Sequence, residues 1–243
     1  MKAAWAAVAV CLAGAPTPAV AGPPYNTNDP APTDFGHWEI YLFTTGGGSG
    51  SAIDDDTGIE LNYGPLKDVQ VSATLPLSFS HASGSGWRSG TGDVELGAKY
   101  RFLNDERAGF SAAIFPKAIL PTSSLATLER TRFFFPLWMG KDFAGGTSLF
   151  GGGGYMVNPG SGNRDYWTGG VALTHQFGKR LQLGGEVNRQ GADTMGGRAS
   201  TSAAVGAIVD LKGPLRLLAS GGPTWTDGGG SGFHAFAALG LDF

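Results

Sequence analysis

The chain has 243 residues, 41 of them glycine and 11% of them aromatic, with a formal net charge of −3. That weakly negative balance offers no electrostatic footprint for nucleic acid. So much glycine argues against helices, since each interior Gly costs up to about 1 kcal/mol relative to Ala, and the aromatic content argues against disorder.

The N-terminus reads Met1-Lys2, an apolar run from Ala3 to Ala13, and then Ala19-Val20-Ala21. A positive start, a short apolar core and an A-x-A site are the parts of a secretory signal peptide, so residues 1–21 are expected to be removed before Gly22. The run is too short to span a bilayer, which takes about 20 apolar residues. Cys11, the single cysteine, lies in that run behind Val10, which argues against a lipoprotein. The mature chain is then expected to hold no disulfide, no thiolate metal site and no cysteine nucleophile. Residues 22–36 carry Pro23, Pro24, Pro30 and Pro32 and cannot form a regular strand or helix. They are expected to be either a periplasmic extension or a plug.

From residue 37 onward the dominant signal is alternation of period two. Twelve segments show it: 37–45, 57–64, 68–80, 92–102, 108–120, 131–141, 147–157, 165–177, 181–190, 199–210, 215–225 and 233–243. The clearest sets Val94, Leu96, Ala98, Tyr100 and Phe102 against Asp93, Glu95, Gly97, Lys99 and Arg101. Several segments have the 9–11 residues that a tilted strand needs to cross a membrane. Short links at 64–67, 104–107, 142–146, 178–180 and 212–214 alternate with generally longer ones at 46–56, 80–91, 121–130, 158–164, 190–198 and 226–232. An even strand count with short turns on one side suits a closed, antiparallel transmembrane β-barrel of about twelve strands over residues 37–243, all-β in class. The location expected is the outer membrane of a Gram-negative bacterium, with both termini and the short turns in the periplasm.

Aromatics fall at the predicted strand ends. Trp38, Tyr63, Tyr100, Phe102, Phe110, Phe177 and Phe243 would ring the periplasmic boundary. Phe79, Tyr155, Trp167, Trp225 and Phe233 would ring the outer one. The last segment alternates Phe233, Ala235, Ala237, Leu239, Leu241 and Phe243 to the final residue, which looks like the signal read by barrel-assembly machinery. The other partners expected are outer-membrane lipid, lipopolysaccharide and a small-molecule solute, and no nucleic acid.

The mature start, Gly22-Pro23-Pro24-Tyr25-Asn26-Thr27-Asn28-Asp29-Pro30 followed by His37-Trp38-Glu39, carries a resemblance. It resembles the opening of an outer-membrane barrel family labelled as a meta-pathway phenol-degradation or transporter-like group. Asn28 stands where that pattern has Asp. The resemblance implies uptake of aromatic compounds and supplies no catalytic residues.

With the apolar face toward lipid, the lumen receives Glu60, Asp93, Glu95, Lys99, Arg101 and Glu186. Lys117 and Arg132 join them where the alternation weakens. These charges are expected either to pair and fill the lumen or to line a conduction path. Phe115, Phe134 and Trp138 would then also face inward, as an aromatic lumen wall or as packing for the N-terminal segment. Twelve strands about 4.8 Å apart and tilted about 40° enclose a backbone cylinder roughly 24 Å across, leaving a narrow pore at most.

Catalytic chemistry finds little support. His81-Ala82-Ser83 looks like the His-x-Ser pair of outer-membrane phospholipases but sits in a Gly/Ser-rich link. Asp54-Asp55-Asp56 lacks the alternate-ligand spacing of a calcium loop and reads as a solvated loop. The Gly151-Gly152-Gly153-Gly154 run has no phosphate-loop Lys-Ser/Thr after it. The sequence therefore points to a non-enzymatic channel without cofactor or metal, passing small aromatic or hydrophobic solutes by passive diffusion. A structural or interaction barrel with a filled lumen is the alternative, and a lipid-active esterase is a more distant one.

Overall fold

The computed structural model describes residues 24–82, 84–125 and 130–243. Residues 1–23, which include the expected signal peptide, Ser83 and residues 126–129 lie outside the described residues. The strands are β1 (Trp38–Ser49), β2 (Ala52–Leu66), β3 (Val69–His81), β4 (Arg88–Thr91 and Glu95–Asp105), β5 (Phe110–Ile114 and Lys117–Ile119), β6 (Arg132–Phe143), β7 (Thr147–Val157), β8 (Tyr166–Phe177), β9 (Leu181–Gln190), β10 (Ser200–Asp210), β11 (Leu215–Thr226) and β12 (Gly230–Asp242). Every strand pairs antiparallel with its chain neighbours, and β12 pairs with β1, so the sheet is a closed twelve-stranded barrel. Closure leaves no sheet edge, and the ladder satisfies the backbone polar groups that a bilayer core could not.

Alternation decides which way each side chain points. Leu42, Leu75, Leu77, Leu96, Val171, Leu173 and Val205 stand exposed on the outer wall, with Val205 at 74%. A continuous apolar band of this kind is untenable in water and suits hydrocarbon. The two aromatic girdles sit at its rims. Trp38 stacks on Tyr63 at 4.6 Å at the end carrying the short links, and Tyr155 meets Trp167 at 5.2 Å at the other.

Two strands are interrupted for local reasons. Pro116 brings no N–H to the ladder and splits β5, though its carbonyl still accepts from Ala98 N at 3.1 Å. In β4 the break at 92–94 frees Asp93 from the ladder.

Two of the expected long links are not loops. β1 and β2 pair without interruption up to Ser49–Ala52, and β11 and β12 up to Thr226–Gly230. Residues 46–56 and 226–232 are therefore hairpin ends. Gly50, with φ 62, makes the first turn, a conformation that costs glycine nothing. Asp54, Asp55 and Asp56 consequently lie on a strand rather than in a solvated loop. Asp55 turns outward to Thr44 Oγ1, which donates to it at 3.0 Å, while Asp56 turns inward and accepts from Ser78 Oγ at 2.5 Å.

The core is the lumen itself, and one side of it is apolar. Tyr41 and Phe43 of β1, Leu218 of β11 and Ala238 of β12 are buried together, with Ile208 and Phe236 packed against them.

Candidate functional site: the filled lumen

The N-terminal segment, described from residue 24, runs inside the barrel. Its proline-rich backbone cannot hydrogen-bond to itself in a regular pattern, so its buried polar groups need partners on the wall. Glu186 of β9 accepts from Asn26 N at 3.0 Å and from Thr27 N at 2.9 Å. From the far side, Lys99 Nζ of β4 donates to Asn28 Oδ1 at 2.7 Å and to the carbonyls of Asp29 at 3.2 Å and Ala31 at 3.0 Å. Thr33 donates through N and Oγ1 to Gln70 Oε1, and Gln70 Nε2 donates to Asn62 Oδ1 at 2.8 Å. Ser220 Oγ donates to the Pro24 carbonyl. The exit is fixed by Gly36 N donating to Gly64 O at 2.8 Å.

Two buried charges of opposite sign thus hold one short stretch of backbone. Charge-assisted hydrogen bonds are roughly twice as strong as neutral ones, which explains how an irregular segment holds a single position. The fit is close. A Cβ on Gly140 would come within 2.9 Å of Pro30 Cγ, so β6 can approach the segment only because that position has no side chain. Tyr25 and Phe150 meet as a tilted ring pair at 6.5 Å. Burial pushes the Asp29 carboxyl up to about 6, against the lowering pull of the nearby Lys99 ammonium.

All eight charges read from the sequence have polar partners, and they divide into three groups. Lys117 pairs with Glu95 at 2.7 Å and Arg132 with Asp93 at 3.3 Å, both toward the long-link end. Asp93 Oδ1 also accepts from Ser123 N, so the link after β5 is tied to the same pair. Lys99 and Glu186 meet through the N-terminal segment. Arg101 lies apart, on Asp68 of the β2–β3 turn at 2.6 Å, and Glu60 accepts from Asn62 Nδ2 at 3.0 Å. Asp54 and Asp56 have no ion-pair partner among the described residues, and they border an opening of about 440 Å³ with Ser78 and Ser80.

Phe115 and Trp138 are buried at 3% exposure, and Phe134 is half-buried opposite Lys117. The Phe115 ring has Lys99 Nζ at 5.0 Å and Lys117 Nζ at 4.7 Å from its centroid, a cation–π contact on each side.

Sequence reasoning missed the apolar side of the lumen and the segment's neutral anchors. Tyr41, Phe43 and Phe236 face inward although they are apolar, against the rule that the polar face is the inner one. Tyr41 OH donates to Glu39 Oε2 at 3.0 Å, which satisfies its one polar atom. Gln70, at 5% exposure, was visible as an inward residue but not as a ligand of the segment. His81 stacks on Trp87 at 5.3 Å. Among the described residues no group of three His, Cys, Asp or Glu side chains is placed to hold a metal ion.

No family model matches the chain, and no curated protein matches it in sequence. Solved structures do match in fold. An outer-membrane channel from Pseudomonas putida F1 superposes with a TM-score of 0.72 at 13% identity, covering 88% of this chain and 98% of that one. The KdgM porin, solved with disordered oligogalacturonate, gives 0.59 at 10% identity over 84% and 99%. The translocator domain of the autotransporter NalP from Neisseria meningitidis gives 0.55 at 15% identity over 86% and 88%. The class is therefore the outer-membrane β-barrel fold. Likeness at such identities establishes the architecture, and function has to be argued from the lumen.

Proposed function

We propose that the chain is an outer-membrane channel for small solutes, aromatic ones among them, and that it rests with residues 24–35 seated in the pore. The observation that carries this reading is the way the lumen is filled. An inert scaffold could pack its interior with its own side chains, as the β1, β10, β11 and β12 side does. Here the rest is filled by a separate segment held by hydrogen bonds, and such contacts can be exchanged for water. The resemblance of residues 22–39 to the phenol-degradation group, and the inward Phe115, Phe134 and Trp138, favour aromatic solutes. Passage would be passive diffusion, with no cofactor or energy coupling.

In this reading the outer wall meets lipid and lipopolysaccharide. Phe243, exposed at 59%, is the contact for the assembly machinery. The short links and the rim where the N-terminal segment leaves the lumen, at Gly36 and Gly64, face the periplasm. Planar-bilayer recording tests the proposal. The full mature chain is expected to be mostly silent, and deletion of residues 24–35 is expected to yield steady currents that phenol reduces. Silence after the deletion, in a barrel that still folds, would favour the alternative of a scaffold whose outer links do its work; that reading draws support from the burial of Tyr41, Lys99, Trp138 and Leu218.

A further inference from the structure

Trp138 Nε1, Arg132 Nε and Thr27 Oγ1 are enclosed polar atoms with no hydrogen-bond partner. Trp138 is 3% exposed and Thr27 is 2% exposed. Native structures seldom leave such groups unpaired, and those that do are candidates for function.

Strand register places two of them on one stretch of wall. Trp138 of β6 stands opposite Gly152 of β7, and Gly152 stands opposite Gly170 of β8. Thr27 Oγ1 lies 2.4 Å from where a Cβ on Gly170 would be. Between the indole and Thr27 the wall is thus a shelf without side chains. Pro30 lies against Gly140, two residues beyond Trp138 on the same face of β6. The N-terminal segment therefore lies along the shelf that Trp138 borders.

We propose that Trp138 is the recognition residue of a solute subsite on the β5–β8 wall, and that the N-terminal segment covers this subsite. The subsite takes a neutral, planar aromatic molecule bearing a hydrogen-bond acceptor such as a carbonyl oxygen. The inference rests on the channel reading above and names the chemistry of its solute.

The acceptor follows from the unpaired groups. The indole N–H can only donate, so a ligand that satisfies it must accept. Planarity follows from the glycine shelf, Gly152 and Gly170, beside the Trp138 ring. Neutrality follows from the charges. Lys117 and Arg132 are already paired with Glu95 and Asp93, and Lys99 with the segment's oxygens. Asp54 and Asp56 have no ion-pair partner among the described residues, so the opening they border disfavours entry of an anion. Solute and segment compete for one wall, and solute binding shifts the population toward the displaced segment.

The full mature chain, carrying isotope-labelled tryptophan in detergent micelles, tests this through the indole N–H resonance of Trp138, assigned with Trp138→Phe. Three probes share one ring: benzamide is neutral with a carbonyl, benzoate is an anion, and benzylammonium brings only donors. Benzamide is expected to move the Trp138 resonance while the other two leave it nearly in place. By calorimetry, Trp138→Phe is expected to weaken benzamide binding about tenfold, as loss of one hydrogen bond would. A resonance unmoved by saturating benzamide, or moved equally by benzoate, overturns the proposal. Because the resonance is read in the unaltered chain, a variant that fails to fold does not shield it. Currents from the segment-deleted barrel together with an unresponsive indole would remove the subsite and keep the channel. A responsive indole in a silent barrel would do the reverse.

Discussion

The two sides of the lumen are filled by different physics. Along β1, β10, β11 and β12 the barrel packs its own apolar side chains, with Leu218 and Tyr41 each at 1% exposure. Along β3 to β9 the filling is largely the N-terminal segment, held by Lys99, Gln70 and Glu186, with its start reaching Ser220 of β11. Side chains anchored on a strand leave only if the barrel unfolds. A hydrogen-bonded segment leaves whenever its partners are replaced by water, since each such bond nets only about 0.5–1.5 kcal/mol, or 1.5–3 kcal/mol with a charged partner. One side is therefore permanent and the other is exchangeable.

The sharpest way to break this comparison is at the permanent side. Leu218→Ala is expected to destabilise the barrel by about 2–5 kcal/mol, read by urea unfolding in vesicles, and to leave resting conductance unchanged. Current through a folded Leu218→Ala barrel would mean that the apolar side also gates. On the exchangeable side, Lys99→Met removes the ammonium that holds Asn28, Asp29 and Ala31. A loss of about 1.5–3 kcal/mol predicts openings roughly ten to a hundred times more frequent in single-channel records, with a fall in unfolding free energy no larger than that loss.

The smallest effect is expected from pH. Burial, opposed by Lys99, raises the Asp29 carboxyl from 3.8 to about 6 in the seated segment. The seated state thus binds this proton more tightly than the released one. Its contribution is full below about pH 4 and is lost as pH rises through 6. Lowering the pH from 7.5 to 5 is expected to make openings about tenfold rarer, and Asp29→Asn should abolish that part of the dependence. Openings that become more frequent on acidification would show that another group controls the segment.

The barrel was legible in the sequence because lipid imposes a rule on every strand. Val94 to Phe102 alternates apolar with polar, and the structure exposes Leu96, Tyr100 and Phe102 while burying Lys99. The rule weakens where lipid is absent. Residues 46–56 look like a loop because they are rich in glycine and aspartate, yet they extend β1 and β2, since an antiparallel pair can continue past the membrane once its register is set. The inward side obeys no single rule, so Tyr41, Phe43 and Phe236 gave no sign of their place. Lys99 and Glu186 were visible as inward charges. Their partners were not, being atoms 71 and 160 residues away in an irregular segment. Whether residues 22–36 lay inside or outside could not be read from proline content, which forbids regular structure in both cases.

The seam between β1 and β12 also orders assembly in time. Trp38 N donates to Phe243 O at 2.7 Å and Phe243 N to Trp38 O at 3.0 Å, so the cylinder is sealed between β1 and a strand some 190 residues further along the chain. The N-terminal segment precedes β1, yet its anchors include Glu186 and Ser220, far downstream. Its seat is complete only when β9 and β11 stand in the wall, so seating follows the assembly of those strands.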